Sequence, residues 1–108
     1  MENPAPAPAT DIMDKVFVWD IGGEGAAFSP SDPLPPFPWE GNYPPAGTAV
    51  VIAGRAPIWR YGMAMHAVHG LAAVVATFDP RLGGGVVVAS HHPDWKEGDL
   101  VPVDEEVN

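Results

Sequence analysis

The sequence contains no cysteine among its 108 residues. Disulfide bonds and thiolate metal sites are therefore excluded, and the chain gives no indication of its redox compartment. Its apolar runs stay far below the roughly 20 residues that span a bilayer. Residues 1–10 also lack the basic start and apolar core of a secretory signal. We therefore expect one soluble domain in the cytoplasm, with no membrane partner.

Positive charge is scarce as well. Five lysines and arginines stand against 14 aspartates and glutamates, for a formal net charge of −9. Such a chain repels extended polyanions, which argues against binding to duplex nucleic acid. The exception is segment 49–92, which holds three arginines, all four histidines and a single acidic residue, Asp79. Its formal charge of +2 makes it the expected location of a functional site, where a small anionic ligand remains possible.

Proline and glycine divide the chain. Residues 1–14 form a Pro/Ala-rich tail that we predict to be disordered, 15–103 form one domain, and 104–108 form an acidic, solvated tail. Most of the 14 prolines lie before Pro57. Residues 24–47 combine proline and glycine with spaced aromatic residues, which indicates a loop packed on the core rather than a free linker.

Short apolar runs predict a small sheet with one main helix, an α+β fold. Strands are predicted over 15–21, 49–53, 73–78 and 86–90, with an edge strand over 99–103. Pro57 and Gly70 predict a helix from 57 to about 69, since proline suits the start of a helix and glycine its end. The glycine-rich stretch 79–85 predicts that strands 73–78 and 86–90 form a C-terminal β-hairpin.

Two histidines fall on one face of the predicted helix. His66 and His69 are three residues apart, so they could ligate a metal together, or one could act as an acid or base near pH 7. Because this spacing is common, the simpler interpretation is a pair of partly exposed histidines that the dipole favours near the helix C-terminus.

Charged residues also follow the predicted strands. Asp79 either begins a turn with Pro80 or is a reactive group at a strand end. Arg81 could pair with Asp79 or hold a phosphate, and Arg55 lies where a helix N-terminus favours an anion. His91 should lie at the far end of the hairpin from Asp79, which opposes one compact site unless another subunit contributes.

Several motifs occur in order and together resemble a known family. They are Val-Val-Ile-Ala-Gly-Arg-Ala-Pro-Ile-Trp at 50–59, His66 with His69, Ala-Thr-Phe-Asp-Pro-Arg-Leu-Gly at 76–83, and Val-Val-Val-Ala-Ser-His at 86–91. The family is that of the small ring nucleases associated with type III CRISPR systems, sometimes fused to an AAA ATPase. The resemblance covers roughly Thr48–Val103. Compared with the family, the first half is short and proline-rich, and the turn after Asp79 is one residue longer.

The resemblance implies a ferredoxin-like fold and a manganese-dependent phosphodiesterase that cleaves cyclic tetra-adenylate. It also implies a homo-oligomer (a dimer, a tetramer or a ligand-induced filament) with active sites shared between subunits. The functional residues carried over by position are His69, Asp79, Arg81 and His91, with His66 as a further histidine.

Under this hypothesis Asp79 and His69 hold Mn²⁺, while Arg81 and Arg55 bind ring phosphates together with His66. His69 is the candidate general acid or base. Three alternatives stay open: a manganese-dependent 3′ exonuclease acting on RNA adenylate tails, a non-catalytic sensor of cyclic oligoadenylates, and a structural module whose histidines only cap a helix.

Overall fold

A computed structural model describes residues 16–23 and 28–103. Over these residues the chain forms five strands and one helix, so the predicted α+β class is confirmed. The elements are β1 (Val16–Asp20), β2 (Ala49–Ala53), α1 (Ile58–Val68), β3 (Val74–Asp79), β4 (Gly84–Ser90) and β5 (Leu100–Pro102). The predicted tails at 1–14 and 104–108, and Lys15 of the predicted first strand, lie outside the described residues.

The strands form one mixed sheet in the order β1-β2-β3-β4-β5. β1, β2 and β3 are parallel, whereas β4 is antiparallel to both β3 and β5. The strands predicted over 73–78 and 86–90 form the antiparallel pair β3–β4, and β5 lies beyond them as the predicted edge strand, so a hairpin at the C-terminal end of the sheet is not shown. A mixed sheet in chain order with one helix over the described residues is the architecture observed. The finer ferredoxin-like assignment remains a prediction.

The helix follows the sequence signals closely. Pro57 is its N-cap with an extended backbone, and His69 is its C-cap, whose N–H donates to the Met65 carbonyl. Gly70 then adopts φ +91°, a left-handed conformation that glycine reaches without a steric penalty. Because α1 connects the parallel strands β2 and β3, it begins at the edge of the sheet where β2 ends and finishes where β3 begins. This direction decides which candidate residues lie together.

The helix and the proline-rich loop cover one face of the sheet. Ala64 and Val68 of the helix pack in a buried cluster with Val50, Ile52 and Val75. Phe37 and Trp39 of the loop belong to the same region, with their rings stacked at 4.6 Å between centroids. The predicted packing of the loop on the core is thus confirmed for residues 28–47.

Side-chain donors hold the proline-rich loop in place. Proline has no N–H, so a proline-rich segment forms few backbone hydrogen bonds of its own and leaves carbonyls to be satisfied by other donors. Trp19 donates its indole N–H to the Pro36 carbonyl at 2.9 Å, and the Thr48 hydroxyl donates to the Pro45 carbonyl. The buried Arg60 supplies further donors, described below.

The other face of the sheet packs closely around a glycine. A Cβ placed on Gly85 would lie 2.8 Å from a methyl carbon of Val51 and 3.0 Å from the Cβ of Ala76. Gly85 therefore lets β4 approach β2 across β3, and Val51, Ala76 and Val87 become fully buried. Two of the three glycines at 83–85 are consequently strand residues, and only Gly83 belongs to the turn. Within the described residues no helix has the length and apolar character that crossing a membrane requires.

Candidate functional site

Three parallel strands end at the same edge of the sheet, which we call the carboxyl edge: Asp20, Ala53 and Asp79 with the turns that follow them. The turns after β1 and β2 approach each other closely. Gly54 has φ +113°, and a Cβ there would collide with the Asp20 carboxylate and lie 2.6 Å from the Gly22 nitrogen. A glycine is required at 54 both for the backbone angle and for the space.

A cavity of about 340 Å³ opens at the carboxyl edge and is lined by Gly54, Arg55, Tyr61, Phe78 and Pro80. The Tyr61 hydroxyl donates to the Gly54 carbonyl at 2.7 Å, which fixes the aromatic ring against the turn. Burial, and to a lesser extent the nearby Asp20 carboxylate, raises the pKa of the Tyr61 phenol. Arg55 is exposed at the rim. The sequence identified Arg55 but not Tyr61 or Phe78, although each lies within a few residues of a candidate.

Asp79 and Arg81 form an ion pair at the same edge. One Asp79 oxygen accepts the backbone N–H of Arg81 at 2.9 Å, and the other accepts the guanidinium at 3.1 Å. The side-chain hydrogen bond from Arg81, then the backbone one, holds the pKa of Asp79 below its ordinary value, and the pairing raises the pKa of Arg81. Asp79 therefore begins a turn, as the first of the two interpretations predicts. The side chain of Arg81 remains 86% exposed and accessible to a ligand.

The histidines lie at the opposite edge of the sheet, which we call the amino edge because β2 and β3 begin there. His69 at the helix end and His91 after β4 place their ring centroids 5.5 Å apart. The N–H of His91 donates to the Ala73 carbonyl at 2.8 Å, which anchors it beside the start of β3. His66 and His69 also line a groove of about 260 Å³ over β3 and β4.

His92 does not belong to this cluster. Its Nδ1 accepts the backbone N–H of Asp94 at 3.1 Å, while Ser90 donates its hydroxyl to the Trp95 carbonyl at 2.8 Å. Both side chains stabilise the turn that leads into β5. Ser90 and the adjacent histidines are therefore not arranged for nucleophilic catalysis.

The strand register separates the two groups of candidates. Asp79 pairs with Gly84 at one end of β3, and Val74 pairs with Ser90 at the other. Five residues of strand at about 3.3 Å each place the groups roughly 17 Å apart. Arg55, Asp79 and Arg81 thus lie at the carboxyl edge, and His66, His69 and His91 at the amino edge. The expectation that His91 is remote from Asp79 within one subunit is confirmed.

The same separation affects the predicted metal ligands. Asp79 and His69 cannot bind one ion within a protomer, because they lie at opposite edges. Across residues 16–23 and 28–103, no three potential His or carboxylate ligands come together. A manganese site that uses this pair would need ligands from two protomers.

One arginine of the basic segment is structural. Arg60 is 4% exposed, and its guanidinium donates to the carbonyls of Ile21 at 2.9 Å, Asp32 at 3.4 Å and Pro33 at 3.1 Å. It also lies 4.2 Å from the centroid of the Phe28 ring. Of the three arginines counted in segment 49–92, only Arg55 and Arg81 are therefore available to an anionic ligand.

The residues matched in comparisons with known proteins include both edges of the sheet. A family model described as "CRISPR-associated protein (Cas_csx3)" matches residues 43–102, which include every candidate residue. The chain is also 50% identical over 56 residues to an uncharacterised protein of Aquifex aeolicus (strain VF5), a match that covers 52% of this chain. The chain spans about half the length of that relative, since the match covers 50% of it.

Proposed function

This chain belongs to the CRISPR-associated Cas_csx3 family, and we propose that it is a ring nuclease that cleaves cyclic tetra-adenylate to linear oligoadenylate. Such a phosphodiesterase would switch off type III CRISPR antiviral signalling. The family membership supports the biological setting, and the motifs at 50–59 and 76–83 support the reaction by resemblance.

The observation that carries the proposal is the division of the candidate residues between the two edges. Phosphate-binding cations lie at the carboxyl edge, and groups able to transfer protons near neutral pH lie at the amino edge. Phosphodiester cleavage is assisted both by cations that bind the phosphate and by groups that transfer protons, and about 17 Å separates these two sets within a protomer. A complete site forms where the carboxyl edge of one protomer meets the amino edge of another. A ring with four phosphates suits such a junction, because each of several subunits needs to supply only a few cations.

The residues then have distinct roles. Arg81 exchanges its partner from Asp79 to a ring phosphate, where its planar fork stabilises charge that develops in the transition state. Arg55 holds a neighbouring phosphate. On the other side of the junction His69 acts as general acid or base, and His91, 5.5 Å away between ring centroids, assists or orients it.

The assembly follows from this geometry. Contact between two different edges is heterologous, so it closes into a ring of subunits or continues as a filament. A two-fold arrangement that brings both kinds of edge together twice would give a dimer or a tetramer instead. In each case we propose a homo-oligomer whose active sites lie between protomers.

Manganese remains part of the proposal if its ligands come from two protomers. The ligands would be Asp79 of one protomer and His69 of another, and their carboxylate and imidazole donors are acceptable to Mn²⁺. Bound there, the metal would supply Lewis-acid stabilisation of phosphoryl oxygen charge. One protomer brings together no set of three ligands among its described residues, so the ion would need ligands from two protomers.

The test is a mixing experiment with labelled cyclic tetra-adenylate, read by chromatography with manganese or with a chelator. His69→Ala and Asp79→Ala should each lose activity, the first by about 10²–10⁴-fold if His69 is the proton-transfer group. An equimolar mixture of the two inactive variants should recover turnover. Random pairing of protomers leaves about a quarter of the junctions with both edges native. His92→Ala is the matched control, since His92 serves the turn, and it should retain activity.

Two results would contradict the proposal. Undiminished cleavage by both variants removes these residues from the mechanism. Loss of activity without recovery on mixing refutes a site shared between protomers.

A non-catalytic sensor is the second candidate, and one observation favours it: the described part of a protomer brings together no group of three potential metal ligands. A sensor would bind cyclic tetra-adenylate tightly and assemble on it without turnover at any metal concentration. The same chromatographic assay, combined with measurement of the assembly size, distinguishes the two functions.

A further inference from the structure

The cavity at the carboxyl edge has two aromatic walls and a cationic rim. We propose that it is a subsite for one adenine base of the nucleotide, with the base against Phe78 and Tyr61 and the attached phosphate toward Arg55. The choice of adenine rests on the proposed function, whereas the choice of a planar base with an attached phosphate rests on the cavity.

The size and position of the cavity suit a base. Its volume of about 340 Å³ is within the range of about 300–1,000 Å³ typical of small-molecule pockets. It opens beyond the carboxyl ends of three parallel strands, the position where open sheets of this kind bind ligands. Pro80 also lines the cavity and is followed directly in the chain by Arg81, the second available arginine.

The aromatic walls are held before a ligand arrives. Tyr61 is fixed by its hydrogen bond of 2.7 Å to the Gly54 carbonyl, and Phe78 is half-buried at the end of β3. Aromatic side chains that are already ordered lose less conformational entropy when a base binds against them. The groove at the amino edge is different, because aliphatic and methionine side chains (Met65, Val75 and Val88) form much of its lining.

Electrostatics orient the nucleotide in the cavity. The Asp20 carboxylate lies against Gly54, whose carbonyl accepts the Tyr61 hydroxyl, so two oxygen acceptors make the potential beside the Tyr61 hydroxyl negative. A phosphate on that side would be repelled, whereas a neutral base would not. Arg55 at the exposed rim attracts the phosphate outward, so the base enters and the phosphate remains at the opening.

The experiment uses the full chain with 2-aminopurine riboside 5′-monophosphate, whose fluorescence is quenched when its base stacks. Adenosine 5′-monophosphate should displace the probe, and ribose 5-phosphate at the same concentration should not. Phe78→Leu keeps apolar volume at the half-buried position but removes the stacking surface, so its affinity should fall about five- to hundredfold. Tyr43→Leu is the matched control, since Tyr43 is 71% exposed and outside the cavity. It should bind the probe as the unmodified chain does.

Three outcomes would overturn the subsite: no quenching by the unmodified chain at millimolar probe, equal displacement by both competitors, or equal affinity in folded Phe78→Leu. These are separable from failure of the proposed activity. If the chain stacks the probe through Phe78 but never cleaves cyclic tetra-adenylate, the subsite is supported and the proposed activity is refuted. If the unmodified chain cleaves the ring and the Phe78→Leu variant binds the ring equally well, the proposed activity is supported and the subsite is refuted.

Discussion

Replacement of Arg60 by methionine is expected to destabilise the fold strongly, although the residue belongs to the segment that the charge pattern marks as functional. The guanidinium donates to three backbone carbonyls and lies over Phe28. Hydrogen bonds to charged groups contribute about 1.5–3 kcal/mol each, and a buried carbonyl left without a donor costs about 1–3 kcal/mol. Only the bond to Ile21 is fully buried, and bonds made by one group are not additive. We therefore expect a loss of about 3–5 kcal/mol in the free energy of unfolding.

The assay is urea unfolding followed by tryptophan fluorescence and circular dichroism. Arg55→Met is the matched control because it removes an exposed arginine five residues away, and it should change the free energy of unfolding by no more than about 0.5 kcal/mol. The loop should also loosen in Arg60→Met, so the indole N–H of Trp19, which donates to Pro36, should exchange faster with solvent. Equal stabilities of the two variants would show that Arg60 does not hold the loop, and the reasoning from its three acceptors would be wrong.

Two further predictions concern the turn after β3 and the glycines. Because Arg81 lowers the pKa of Asp79, the ion pair stabilises the fold above the unfolded carboxyl pKa of about 3.9, and that contribution is lost as the pH falls through the lower folded value. In Arg81→Ala the pKa of Asp79, measured by carbon NMR of the carboxyl group, should rise toward its ordinary value. Arg55→Ala is the control and should leave that pKa unchanged. Equal pKa values of Asp79 in both variants would contradict the pairing. Gly85→Ala should destabilise by about 1–3 kcal/mol because its methyl group meets Val51 and Ala76. Gly62 lies on the exposed helix face, where an added Cβ would meet nothing within 4 Å, so Gly62→Ala should instead stabilise the fold by about 0.5–1 kcal/mol. Thermal unfolding of both variants tests these opposite signs. An unchanged stability of Gly85→Ala would refute the close packing of β4 on β2.

The local elements of this fold could be predicted because their signals are local. Pro57 and Gly70 predicted the helix to within about one residue at each end, since one residue limits where a helix starts and the other where it ends. Apolar runs bounded by glycine predicted the strands. The mixed strand pairing could not be read in the same way, because it depends on contacts between distant segments. Gly85 illustrates the limit: its sequence context resembles a turn, and only its contact with Val51 explains why it is a strand residue.

The candidate site was predictable in its residues but not in their grouping. The alternation of strand direction did predict that His91 and Asp79 lie at opposite ends of β3 and β4. The sequence hypothesis pairs His69 with Asp79 as a metal ligand, whereas the direction of α1 places His69 beside His91. Arg60 was counted with the available cations because a charge count carries no information on burial. A physical signal for Arg60 did exist: a proline-rich loop has more carbonyls than N–H groups, so a nearby arginine is its natural donor.

An acidic protein can still bind a compact polyanion if it concentrates its few cations at one edge and binds through several copies. Here Arg55 and Arg81 lie at the carboxyl edge, and the histidines lie about 17 Å away at the amino edge. Under the proposed function a ligand that contacts both edges of neighbouring protomers binds only the assembled state, so it stabilises the assembly by mass action. Cleavage removes that ligand and its stabilisation together. The enzyme would therefore assemble while the cyclic nucleotide is abundant and disperse as it is consumed, which makes catalysis depend on the very signal that it destroys.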